Sequence, residues 1–458
     1  MRTAWRLLLV SILLGLVWMG LILSEWLPRP TTADVEALAA LQPPSDNVAG
    51  ERNAFALFWL FDYAVPESEL NKVAAVDVAA FAAAARDGGI SEFKVSAEGQ
   101  YPMLPQPPRK DPALCSHWTS GCLDLVRANR DAARERLVEF APLLERGRLI
   151  RNYDYYHYQF LPRFDSPLGA PSAVFGLQMT AVATDYLDGH VDAAFGHLCA
   201  DTAAWRRIRA HADMLIIDML GIGQVSGAAQ LYAEMLAGQA ADFVPPCPEV
   251  FAPLEDAELD FCAVMRFEHL STVNSLQDDA MRVQAFSGFA AGKLLRPLVN
   301  WRRVPYLSGR LLAGYCQAPQ RERRVRRDPA PLASVLPCTS MERVFDPVGC
   351  FLAESAFPDY DPYFRRGLDL DARLRLVQAA IWLRAQPAGT DLQTAFAARP
   401  STADSPAHQF SLDLERATLR MRNLEAATDG LAQRGEFWQI PIRLEPAAAP
   451  PVAVDNPN

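Results

Sequence analysis

Seventeen consecutive residues near the start of the chain, Leu7 to Leu23, carry no charge and are almost all apolar. As a helix that run spans roughly 26 Å, and Trp5 and Trp26 extend it to about 32 Å, the thickness of a bilayer's hydrocarbon core. The two tryptophans stand where amphipathic indoles mark the two membrane interfaces. Arg2 and Arg6 precede the run and Glu25 follows it. That bias keeps the N-terminus in the cytoplasm and sends everything after Pro30 across the membrane. A cleaved signal peptide would need a shorter apolar region with a small-x-small site close behind it. Ser24-Glu25-Trp26-Leu27-Pro28 offers none, Thr31-Thr32-Ala33 lies too far downstream, and no cysteine follows as a lipoprotein site. The expectation is an uncleaved anchor over 1–28, single-pass in a cell inner membrane, with the bulk of the chain in the periplasm.

Behind the anchor, 458 residues of which 50% are hydrophobic are ample for a packed body. A formal charge of −10 argues against nucleic acid as a general partner. The most apolar later window, Met214 to Val225, is interrupted by Asp218, so one span is expected. All eight cysteines follow the anchor, and an even set in an oxidising compartment reads as disulfides. Close spacing pairs Cys115 with Cys122 and Cys338 with Cys350. It leaves Cys199, Cys247, Cys262 and Cys316 open. Without close CxxC pairs or an HxH, neither a metal site nor a cofactor is expected.

The spacing of apolar residues predicts a mainly α body with a small C-terminal antiparallel β element. A stalk over 29–52, with one helical turn at Ala33–Leu41, leads into a helical domain over 53–327. Its helices begin with the dense run Phe55 to Phe61 and an alanine-rich stretch, Lys72 to Arg86, stopped by Gly88-Gly89. One amphipathic helix is expected over Leu123–Glu145, three between Ser172 and Ala237, and a long one from Leu254 to Gly288. A Pro-containing linker, 328–337, precedes a smaller α+β region, 338–444, with a helix at Leu368–Leu383. There Phe410, Leu412 and Leu414 alternate, as do Trp438, Ile440 and Ile442, predicting strands; a helix over Leu412–Leu424 is the alternative. The Pro/Ala-rich tail, 445–458, reads as disordered.

Two stretches suggest binding. In Asn152 to Phe160 the rings of Tyr153, Tyr155, Tyr156 and Tyr158 crowd around Asp154 and His157. They form either a stacking platform or cement for neighbouring helices. Between Arg282 and Arg327 eleven basic residues face one acid, Glu322, so +10 is concentrated there and −20 remains elsewhere. Arg321, Arg323, Arg324, Arg326 and Arg327 are its densest part. They suit an anionic lipid, glycan or protein partner at the membrane, or alternatively the protein's own acids.

Signatures of catalysis are missing: no GxSxG, HExxH or GxxxxGK[ST] occurs. A glycosidase needs only two carboxylates that meet in space, and Asp278-Asp279, Glu268 beside His269, and Asp359 with Asp361 are candidates. The leading expectation is a non-enzymatic, membrane-tethered binding or assembly protein of the bacterial cell envelope. Its rival is an envelope, glycan-directed hydrolase that combines the tyrosine platform with a carboxylate pair.

Overall fold

Helices dominate, with one small antiparallel sheet near the C-terminal end. The computed structural model describes residues 2–23, 29–42, 52–87, 93–108, 110–116, 121–169, 171, 174–278, 281–283, 299–332, 338–356, 359–387, 389–424 and 436–443. Helix α1 covers Arg2–Leu23, 22 residues. Among the described residues no helix is long and apolar enough to cross a membrane. The side chains of Leu7, Leu8, Ile22 and Leu23, and the expected interfacial Trp26, lie outside that description.

Helix α2, Thr32–Ala40, opens with a capping box in which Thr31 and Asp34 satisfy each other's backbone N–H groups. Asp34 is buried, and Arg310 Nη2 meets its Oδ2 at 2.9 Å. Ala37 and Leu41 enter an apolar cluster with Phe261, Met265 and Leu312. The front of the expected stalk is therefore packed on the body, while 43–51 lie outside the described residues.

Helices α3 (Phe55–Trp59) and α4 (Leu70–Asp87) follow the apolar patterns expected, the Gly88-Gly89 stop being outside the described residues. The single helix expected over Leu123–Glu145 is three instead: α5 (Cys122–Ala128), α6 (Arg130–Glu139) and α7 (Ala141–Arg148). At the first break the Asn129 side chain donates to the Leu125 carbonyl at 2.9 Å, competing with the helical ladder. At the second, Pro142 has no N–H to continue the helix. Three helices then form as expected, α8 (Val174–Leu187), α9 (Val191–Ala210) and α10 (Leu215–Ala237), with α9 packed against both others.

The long helix expected from Leu254 begins only at Cys262, as α11 (Cys262–Gln277). Just ahead of it Asp260 Oδ1 accepts the Cys262 N–H at 3.0 Å. The acids before it sit in a single 3-10 turn, Ala257–Leu259, and pair with arginines, Glu258 with Arg206 at 2.6 Å and Asp256 with Arg327 at 2.6 Å. After α11 come α12 (Val304–Leu312), α13 (Ala318–Arg326), α14 (Ser340–Phe345), α15 (Pro347–Ala356), α16 (Asp361–Arg384) and α17 (Leu392–Ala397).

Strands β1 (Phe410–Asp413), β2 (Thr418–Arg422) and β3 (Phe437–Pro441) form a meander in that order, with Leu412 opposite Leu419 and Leu419 opposite Ile440. Period-two alternation thus prevails over the helical alternative for Leu412–Leu424. It buries Leu419, Met421 and Ile440 on the face turned to α10 and α16. The main core draws on both sides of the 328–337 segment, joining Phe55, Trp205 and Tyr232 to Leu368, Leu374 and Leu419. Residues 445–458 lie outside the described residues.

All eight cysteines are paired: Cys115–Cys122 and Cys338–Cys350 as the spacing suggests, then Cys199–Cys247 and Cys262–Cys316.

Candidate functional site

The tyrosine-rich segment is extended, with isolated bridges from Tyr155 to Asn53 and from Tyr156 to Ala212. Its rings turn inward: Tyr153, Tyr155, Tyr156, Tyr158 and Phe160 are all buried. Phe55 lies 5.7 Å from the Tyr158 ring and 5.3 Å from Phe160, and Phe58 lies 5.5 Å from Tyr156, centroid to centroid. These contacts cement α3 to the body. Burial pushes the hydroxyls of Tyr156 and Tyr158 far above their ordinary range. His157 is exposed, its Nδ1 2.8 Å from Asp213 Oδ2, and that hydrogen bond raises the imidazole.

The basic stretch is largely answered from within the fold. Arg323 pairs with Asp361 at 2.6 Å, Arg324 with Asp260 at 2.9 Å, and Arg327 with Asp256 while also donating to the Leu254 carbonyl at 2.8 Å. Upstream, Arg303 meets Glu342, and Arg310 meets Asp34 and Glu342. Arg321 and Arg326 remain exposed. Lys293, Arg296 and the leucines 294, 295 and 298 lie outside the described residues. Replacing Arg321 and Arg326 by glutamine is expected to change stability by less than about 0.5 kcal/mol. Arg327→Gln should cost about 2 kcal/mol, because it strips a donor from the buried Leu254 carbonyl along with the ion pair to half-exposed Asp256. Urea denaturation of the variants checks the contrast.

The carboxylates considered for catalysis are similarly engaged. Asp278 accepts from Arg163 at 3.1 Å, Asp361 is held by Arg323, and Asp359 Oδ1 accepts the Asp361 N–H at 3.0 Å. Burial raises Glu268, which accepts from the Tyr360 hydroxyl at 3.1 Å. Asp279 lies outside the described residues.

One array that the sequence did not advertise joins Ser405, His408 and Asp369. Ser405 Oγ lies 3.2 Å from His408 Nδ1, and His408 Nε2 lies 2.7 Å from Asp369 Oδ1. A hydroxyl, an imidazole and a carboxylate in series have the composition of a nucleophile relay. Here the imidazole is fully buried, and the same Asp369 oxygen accepts the Leu424 N–H at 2.8 Å. The set closes the segment before β1 and the end of β2 onto α16, as a structural latch.

What the fold leaves open is a cleft of about 340 Å³ where α5, α10 and the sheet meet. Gln230 and Glu234 of α10 form its floor with Ala237. Leu123, Asp124 and Arg127 of α5 make one wall, and Thr418, Gln439 and Ile440 of the sheet the other. The Cys115–Cys122 disulfide fixes the first wall. Gly121, at φ 85°, makes the left-handed turn into α5 that a side chain would strain. Glu234 then accepts the Gly121 N–H at 2.7 Å, the Leu123 N–H at 3.3 Å and the Gln230 amide at 3.1 Å. The first two of these donors cross from the wall and lock it to the floor. Asp124 and Arg127 form an exposed ion pair at the rim.

Two polar atoms here are buried and have no partner among the described residues, Gln230 Oε1 and Thr418 Oγ1. Since Gln230 donates its nitrogen to Glu234, its oxygen is the free end, and a buried acceptor left unmade costs about 1–3 kcal/mol. No sequence motif marks this site. Its parts come from positions far apart in the chain. Among the described residues no group of His, Cys, Asp and Glu could hold a metal ion. Comparison with protein-family models, with curated proteins and with solved structures yields no match.

Proposed function

We propose that this is a membrane-tethered binding or assembly protein of the bacterial envelope, held in the inner membrane by α1 with its body in the periplasm. One conjunction carries the reading: an uncharged apolar run behind Arg2 and Arg6, and four disulfides all on its C-terminal side. Disulfides of that number suit an oxidising compartment, the side to which the arginines direct the chain. In the structure α1 also touches the body, where the Trp18 indole N–H donates to the Val344 carbonyl at 2.9 Å, and insertion of the helix would break that contact. Met341, Val344 and Phe351 are exposed around it, an apolar edge of the body beside the anchor. The binding role draws on the open cleft, while of the carboxylates a hydrolase would use Asp278 and Asp361 are held in ion pairs and Asp359 caps the Asp361 N–H.

Fusion of alkaline phosphatase and, separately, of a cytoplasmic reporter to the C-terminus tests the topology. The phosphatase fusion is expected to be active and the cytoplasmic one silent, with the mature protein still beginning near residue 1. A silent phosphatase would reverse the orientation, and a mature N-terminus near residue 34 would remove the anchor.

A further inference from the structure

We propose that the cleft between α5, α10 and the sheet binds a neutral sugar, deepening the binding role proposed above by naming its ligand class. The hydrogen-bonding inventory sets the chemistry. Gln230 Oε1 requires a donor, because its amide nitrogen is already committed to Glu234. Thr418 Oγ1 can give and accept, and neither use is filled among the described residues. Hydroxyl groups meet both needs, since each can donate to Gln230 Oε1 and accept from Thr418 Oγ1.

Charge narrows the choice further. The Glu234 carboxylate is answered by three N–H donors, and Arg127 stands at the rim in an exposed pair with Asp124, so among the described lining residues no cation lies inside the cleft. Leu123, Ala237 and Ile440 add aliphatic surface beside the polar atoms. A pyranose combines those two faces, hydroxyls along its edge and C–H groups across its plane. At about 340 Å³ the cleft is at the small end of ligand sites, roughly 300–1,000 Å³, which fits a short saccharide and excludes a long enclosed chain.

The site is also built to receive rather than to cleave. Its one inner carboxylate, Glu234, is spent holding the α5 wall, and Asp124 projects into solvent with 83% of its side chain exposed. Among the described lining residues no two free carboxylates face each other across the cleft, as hydrolysis of a glycosidic bond requires.

The test uses the full chain in a non-glycosidic detergent, with maltose and N,N′-diacetylchitobiose as probes in saturation-transfer NMR and calorimetric titration. At least one disaccharide is expected to receive saturation from the wild type and to bind in the millimolar range or tighter. Thr418→Val, which keeps the shape and removes the hydroxyl, should weaken that binding about tenfold, and Gln230→Met should do the same. The melting temperature separates a ligand role from a structural one. Because the Thr418 hydroxyl has no partner among the described residues, its removal should leave stability unchanged or slightly raised. Absence of transfer to both sugars, or transfer undiminished in both variants, would overturn the proposal, as would tighter binding of an uncharged extended peptide at the same residues. None of these outcomes depends on which side of a membrane the body occupies, so failure here and failure of the topology are read separately.

Discussion

Replacing Cys262 and Cys316 by alanine should remove about 4 kcal/mol of stability, since that bridge closes the longest disulfide loop in the protein, 54 residues apart in sequence. The same chain-entropy reasoning gives about 4 kcal/mol for Cys199–Cys247, separated by 48. It gives only about 2 to 3 kcal/mol each for Cys115–Cys122 and Cys338–Cys350, separated by 7 and 12. A domain is typically stable by roughly 5–15 kcal/mol, so loss of all four bridges consumes most or all of it. Full reduction should therefore unfold the body at 25 °C, and the chain should fail to accumulate folded in a reducing cytosol. Urea denaturation of the four paired variants measures the ordering. Equal losses for long and short loops would show that packing around the sulfurs, not the freedom of the unfolded chain, sets the effect.

Local signals were legible and distant partnerships were not. Strand β2 could be read because Leu419 and Met421 alternate with arginines, and a sheet with one dry face leaves that trace in any sequence. Helix α16 was legible for the same reason at the other period. By contrast, Leu123, Val126, Ala133 and Leu137 hold a helical phase across Asn129, so a break made by one side-chain hydrogen bond is invisible in the spacing. The charge of Arg282–Arg327 was plain, but its partners Asp34, Asp256, Asp260 and Asp361 arrive from tens to hundreds of residues away, and composition names no pairs. The tyrosines likewise look the same whether they face a ligand or Phe55. The cleft is the extreme case: Gln230 and Thr418 are ordinary residues, marked by one side-chain oxygen each that lacks a partner among the described residues.

Acid should destabilise the protein well above the pH at which carboxylates ordinarily titrate, and His269 of α11 is the reason. Its ring is buried, with Nδ1 2.8 Å from Ser308 Oγ, and burial lowers its pKa from 6.5 to about 4. In the unfolded chain the imidazole takes its proton as pH falls through 6.5, while in the folded chain it stays neutral until about 4. The unfolded state therefore binds more protons across that window, so this contribution is complete above pH 6.5 and is lost as pH falls towards 4. The full loss is about 3 kcal/mol, at 1.36 kcal/mol per pH unit. Glu342 adds a separate step lower down. Its burial opposes ionisation, but Arg310, the Thr339 N–H and Arg303 outweigh it and hold the carboxyl at about 2, so its contribution disappears between 4.5 and 2. Asp218 and Glu268, both raised by burial, act with the opposite sign, since the folded chain takes up their protons first. The bulk curve is thus a sum, and the informative quantity is a difference. His269→Gln keeps a hydrogen-bonding group for Ser308 and removes the titration. Its denaturation free energy should run parallel to that of the wild type above pH 7 and fall less steeply from 6.5 to 4. Glu342→Gln should run parallel to and below the wild type above 4.5 and converge on it as pH falls from 4.5 towards 2. Parallel curves for His269→Gln throughout would mean that the ring is solvated enough to take its proton in the folded state.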